Sequence, residues 1–268
     1  MGRFLLCGKE AALPYEVEEM DLRLYSAEEL ACFIYDNLSL IDEDFMDSRL
    51  LLFIREELEL TELSDKLKEL KLPDEQDAAL FLILSATGYH TEAELNQFKE
   101  RLEWRKRKSA EERLKEKADI LFDRGRYHTA VRAYRELLSG SADGRMPEGF
   151  YEAAKESLAN ACGQMSEFGN AEKILTELFQ ENGSERVLHK LYDTCRLAGD
   201  PFPEERFAKF ADRFSSWAQD FDDRKAAISE LISEDPVLGM FEKDGPEARE
   251  AFKKYTETKK EEYRSMLE

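Results

Sequence analysis

The sequence predicts an all-α protein, and three observations carry that prediction. Charged residues make up 37% of the 268 positions while glycine (13) and proline (7) are scarce, which is the composition of amphipathic helices that each keep one solvated face. Apolar residues recur at three- and four-residue spacing from Ser26 onward, the period of a helix. Helix-start signals, a Ser or Thr followed three residues later by Glu, stand before two of these stripes, where the side chains satisfy the first free backbone amides. With 42% hydrophobic residues, a chain of this length has ample material for a core.

The elements follow in order. Residues 3–25 are the one stretch whose pattern admits strands: Phe4 to Cys7 and the alternating Tyr15 to Met20 are expected to pair around Gly8 to Pro14 as a small hairpin. Ser26 with Glu29 forms a capping box before the stripe Leu30, Phe33, Ile34, Leu38. A second helix is expected over Asp44–Leu58, with Leu50, Phe53, Ile54 and Leu58 inward, and a third over Glu62–Leu70. Pro73 suits the first turn of a fourth helix, which runs through the apolar stretch Ala78–Ala86 to a stop at Gly88. Thr91 and Glu94 cap a long polar helix over Glu92–Ser109. Its basic run, Arg105 to Lys108, reads as a solvated face with pairs such as Glu103–Arg107 and Glu111–Lys115. This helix links an N-terminal subdomain, residues 1–108, to the remainder, residues 109–268.

Beyond that boundary the chain becomes periodic. Leu114, Ala118, Leu121, Gly125-Arg-Tyr127, Ala130, Tyr134 and Leu137 are echoed by Leu158-Ala159, Cys162, Phe168, Ala171, Leu175 and Leu178. The loop Ser139 to Pro147 lengthens the first unit. A decayed third copy runs Leu188, Leu191, Cys195, Gly199, then Phe207, Phe210 and Phe214. Ala118, Leu121, Gly125, Tyr127, Ala130 and Tyr134 together resemble the tetratricopeptide repeat, a helix–turn–helix unit in which a glycine allows the tight turn and small residues let two helices approach. The resemblance covers roughly 100 residues by the length of such repeats. It departs at three places: Lys117 stands where the family has Leu, Ser166 replaces the turn glycine in the second copy, and Pro201 and Pro203 displace the second helix of the third. The resemblance implies a right-handed array of helix pairs, closed by a C-terminal capping helix over Pro246 to Leu267. The first 110 residues are similar to uncharacterised bacterial proteins that open in a like way, which implies no function.

Charge and motifs exclude several function classes. The net charge of −20 repels nucleic acid and anionic membranes and leaves both as unexpected partners. Nothing approaches the 18 apolar residues of a membrane span. The Phe4–Cys7 run is too short for a signal-peptide core, so a cytoplasmic protein is expected. Cys7, Cys32, Cys162 and Cys195 show no paired spacing, and His90, His128 and His189 lie far apart, so neither a disulfide framework nor a metal site is expected. No phosphate-binding or nucleophile motif occurs, so no catalytic residue and no cofactor are assigned.

Binding remains. In an array of this kind the first helix of each pair lines a groove. The resemblance implies groove positions at Lys115, Asp119 and Phe122 in the first copy, Asn160 and Gln164 in the second, and Arg186, His189, Lys190, Asp193 and Arg196 in the third. Asp119 and Ser157 stand where carboxylate-gripping members have Asn. The expected function is a non-catalytic adaptor or scaffold that binds a protein or peptide segment. The alternatives are a regulatory protein that senses a ligand or peptide and, behind it, an enzyme of unrecognised type.

Overall fold

The computed structural model describes residues 7–72, 74–140, 144–234 and 246–265. Within them the chain is all-α apart from one two-stranded hairpin, and its later helices pack as hairpins. The helices are α1 (Ala27–Asp36), α2 (Ser48–Leu52), α3 (Thr61–Glu69), α4 (Gln76–Thr87), α5 (Glu92–Arg107), α6 (Ala110–Asp123), α7 (Tyr127–Ser139), α8 (Phe150–Gln164), α9 (Phe168–Asn182), α10 (Glu185–Ala198), α11 (Ala211–Glu234) and α12 (Pro246–Ser265). Two compact units divide within α10, at residues 1–194 and 195–268. The expected boundary at 108/109 falls at the α5–α6 junction. There Lys108 ends α5, and Ser109 caps α6 in a full capping box with Glu112.

The hairpin forms with a different partner from the one expected. β1 (Tyr15–Val17) pairs antiparallel with β2 (Leu22–Leu24), Tyr15 opposite Leu24. A 3-10 turn over Glu18–Met20 and Asp21 in the left-handed region (φ 48°) reverse the chain, a conformation that Asp tolerates better than most residues. Of the other expected strand, Phe4 to Leu6 lie outside the described residues.

The first core gathers the predicted stripes. Leu30, Phe33, Ile34 and Leu38 are buried, as are Leu50, Phe53, Ile54 and Leu58. The expected single helix Asp44–Leu58 is broken. A 3-10 turn takes Glu43–Phe45, and Asp47 then accepts the Leu50 amide at 2.8 Å and starts α2 afresh. α2 widens into a π turn over Phe53–Glu57, where the Leu58 amide reaches back five residues to Phe53. α4 starts at Gln76, three residues after Pro73, which itself lies outside the described residues. It stops at Gly88, whose φ of 61° makes it a left-handed cap.

The later helices share one turn. In the first pair Gly125 adopts φ 72°, its amide bonds Phe122, and the next amide, Arg126, bonds Leu121. In the second, Ser166 (φ 59°) bonds Gly163 and Glu167 bonds Cys162. In the third, Gly199 (φ 79°) bonds Arg196 and Asp200 bonds Cys195. Each is a Schellman closure, in which a left-handed residue lets two amides satisfy the last free carbonyls. Two residues past that point, α7 and α9 begin; after Gly199 the prolines 201 and 203 intervene, and a 3-10 turn at Glu204–Phe210 precedes α11. Small side chains line the two complete pairs. Ala118, Ala130, Ala154, Ala161 and Cys162 have no exposed surface, so helix axes approach closely. In the second unit, the Phe202 ring stacks on Phe207 and meets Phe214 edge-on. α12 covers most of the expected capping helix; Met266 and Leu267 lie outside the described residues.

Candidate functional site

The predicted groove positions lie on α6, α8 and α10, and the structure joins most of them in charge networks. On α6, Lys115 pairs with Asp119 at 2.7 Å, one helical turn away. Asp119 also accepts the Tyr134 hydroxyl at 2.6 Å. Tyr134 is 1% exposed; burial, then the Asp119 carboxylate, pushes its hydroxyl pKa upward, while a hydrogen bond with Ser157 of α8 opposes the shift. One aromatic thus ties α7 to the polar residues of α6 and α8. Phe122 lies half-buried under Tyr127, ring centroids 5.4 Å apart and edge-on. Tyr127 therefore packs against the first helix of its own pair.

The second network joins the predicted residues Asn160, Arg186 and Lys190 through a hub that was not among them, Glu156. This carboxylate on α8 is 8% exposed. Arg186 of α10 grips it with both nitrogens, at 2.7 and 2.5 Å, and Lys190 reaches it at 2.5 Å. Bidentate, charge-assisted bonds of this kind offset the cost of burying the carboxylate. Lys190 also meets the exposed Asn160 at 3.4 Å. Two cations on one carboxylate leave a local surplus of one positive charge. His189 and Asp193 stand one turn apart on α10, 3.9 Å between their polar atoms. Gln164 is exposed at the end of α8. In the second unit, Arg196 pairs with Asp222 at 2.8 Å and lies 4.9 Å over the Phe221 ring.

Lys117, the position where the repeat pattern has Leu, is 5% exposed. Its ammonium meets Glu19, beside the hairpin, at 2.7 Å and also pairs with Asp42. Arg132 of α7 reaches the same Glu19 at 3.3 Å. The departure from the repeat is therefore a tether between the N-terminal part and the first helix pair. Glu156 and Lys117 share one sequence signal: each is a charged residue at an apolar stripe position, where only a paired charge is tolerated.

The basic run at the end of α5 is not simply a solvated face. Arg105 donates to the Ile41 carbonyl and lies 3.7 Å from Asp77, and Arg101 donates to the Tyr35 carbonyl. Lys108 pairs with Glu116 at 2.6 Å and sits 3.4 Å over the Trp104 ring. Glu103 pairs with Lys106 and Lys115 with Asp119, in place of the expected Glu103–Arg107 and Glu111–Lys115. A cleft of about 590 Å³ opens here between residues 38–44 and helices α5 and α6, with Trp104 and Arg113 on its wall.

Other chemistry is sparse among the described residues. The four cysteines are thiols, Cys162 and Cys195 are buried, and burial pushes the Cys162 thiol pKa upward, away from reactivity. No group of His, Cys, Asp and Glu there is arranged to hold a metal ion, and no helix is long and apolar enough to cross a membrane. The chain matches no protein-family model, no curated protein and no solved structure.

Proposed function

We propose that this chain is a non-catalytic interaction module that receives a segment of a partner protein on the polar face of α6, α8 and α10. The observation that carries this reading is the pairing of successive first helices through Glu156, Arg186, Lys190 and Asn160. It ties α8 to α10 and leaves Asn160 and the Arg186 side chain open to solvent. A rigid, prepaired face costs little side-chain entropy when it binds. The exposed guanidinium of Arg186 suits a carbonyl or carboxylate group of the incoming segment, although the chain as a whole is acidic. Tetratricopeptide-like arrays use their first helices in this way.

The test is capture of partners by the wild-type chain and by a Gln164→Arg variant, which alters the exposed end of the face and leaves the Glu156 network whole. Loss of a stable partner in the variant supports the reading; capture of the same partner at equal yield removes the face from it.

A second reading, a ligand-sensing regulator, draws on the 590 Å³ cleft, which lies within the usual size of small-molecule sites. A ligand there would perturb Trp104, 57% exposed. A metabolite screen that changes neither tryptophan emission nor melting temperature argues against it.

A further inference from the structure

The N-terminal part leaves a second apolar surface open, away from the face just described. Leu13 and Leu52 are 67% and 60% exposed. Both line one cleft of about 380 Å³, floored by Phe53 and walled on one side by Tyr15 and Glu16 of β1. Among the described residues β1 pairs with β2 alone, and its Tyr15 and Glu16 form part of this wall. A strand edge beside exposed leucines is an adhesive surface that folded chains usually cover or guard with charge. Here the guard is acidic. Glu16, Glu56 and Glu57 line the rim; Glu16 also pairs with Arg23 at 3.0 Å and Glu56 with Arg55 at 3.6 Å, exposed pairs that hold their carboxylates weakly and leave them open to an incoming cation. Arg49, the cation of the lining, is already held by Asp47 at 2.7 Å and Glu18 at 3.0 Å. Glu57 spends one oxygen on the Leu13 amide at 3.0 Å, which fixes the cleft wall without cancelling the charge.

We propose that this cleft docks an extended, basic segment of a partner protein. One apolar side chain of that segment seats between Leu13 and Leu52. Its Lys or Arg side chains face Glu16, Glu56 and Glu57, and its backbone adds alongside β1. Strand addition supplies main-chain hydrogen bonds, and the alternate side chains supply the apolar anchor and the charges. The net charge of −20 steers such a segment toward the chain from a distance.

The experiment uses the full chain and two labelled peptides read by fluorescence anisotropy: acetyl-Lys-Leu-Lys-Val-Lys-Leu-Lys-amide, and the same sequence with Glu for Lys. The variant is Leu13→Asn/Leu52→Asn, which changes two exposed side chains and no charge; its melting temperature reports that the fold is kept. The lysine peptide is expected to bind the wild-type chain, and the glutamate peptide is not. The variant is expected to lose at least tenfold in affinity, and N-methylation of alternate peptide amides to cause a comparable loss. Absence of binding by the lysine peptide overturns the proposal. So does equal binding to wild type and variant, which reduces the effect to charge, and so does full-strength binding of the N-methylated peptide. Binding seen only after residues 2–6 are deleted would assign the cleft to the chain's own Arg3–Leu6 and overturn it as well.

Discussion

Residues 27–102 and residues 110–182 are both helical, yet they are packed by opposite means. The earlier region fills its interior with large side chains: Leu30, Ile34, Leu50, Ile54, Leu67, Leu80 and Phe98 are almost wholly buried. Between α1 and α3 its elements are short and interrupted, with 3-10 turns, a π turn and a helix of five residues, before α4 and α5 run 12 and 16 residues. The later region buries alanines and a cysteine between its helices, with Tyr134, Leu121 and Leu178 among its almost wholly buried large side chains. Its helices run 13 to 15 residues and turn in the same way each time. Large side chains fill an irregular space in many ways, so nothing forces the backbone to repeat. Small ones bring backbones together, and close approach tolerates few geometries.

That contrast can be broken at several points, from the largest effect to the smallest. Leu80→Ala and Leu67→Ala, each opening a cavity at a site with no exposed surface, are expected to cost about 3 kcal/mol by denaturant unfolding. Ala130→Leu places bulk where α6 and α7 approach and is expected to cost about 2 kcal/mol. A cost below about 0.5 kcal/mol, the range of ordinary surface changes, would show that the later helices are not closely packed. Lys117→Ala severs the tether between the two regions while leaving Glu19 and Asp42 partly solvated, and a loss of about 1.5 kcal/mol is expected, less than for a fully buried pair. Ser166→Gly relieves a left-handed residue that carries a side chain and is expected to stabilise by about 1 kcal/mol.

A further effect, outside that ranking, is alkaline. Burial and then Asp47 push the Tyr15 hydroxyl up to about 12. A group with its folded pKa raised contributes fully below its unfolded value, near 10, and loses that contribution as pH climbs through the folded value. Stability should hold to about pH 10 and decline toward 12. Tyr15→Phe, followed by denaturant melts across that range, should flatten the decline.

The same contrast decides what the sequence made legible. Gly125, Ala118 and Ala130 announced their turn and close approach, because only small or achiral residues satisfy those constraints. Thr91 with Glu94 announced a helix start, and both halves of that capping box form. The break in the expected helix Asp44–Leu58 was hidden, because Asp47 reads equally well as a solvated surface acid and as a cap. A small N-terminal hairpin was foreseen and its partner strand was not: Leu22 and Leu24 alternate over too few residues to outweigh the helix signals around them. Of the candidate face, Asn160, Arg186 and Lys190 were named, but their hub was not. A glutamate between Ala154 and Leu158 looks like a polar interruption until Arg186 and Lys190, thirty residues away, are seen to reach it.

The proposed face is tested most directly by photo-crosslinking. A benzoylphenylalanine replaces Gln164, at the exposed end of α8, or Lys173, exposed on the second helix of the same pair. Both versions are irradiated with the captured partner. The account predicts crosslinks to the partner from position 164 and none from position 173; crosslinks from 173 alone, or from both with equal yield, would contradict it.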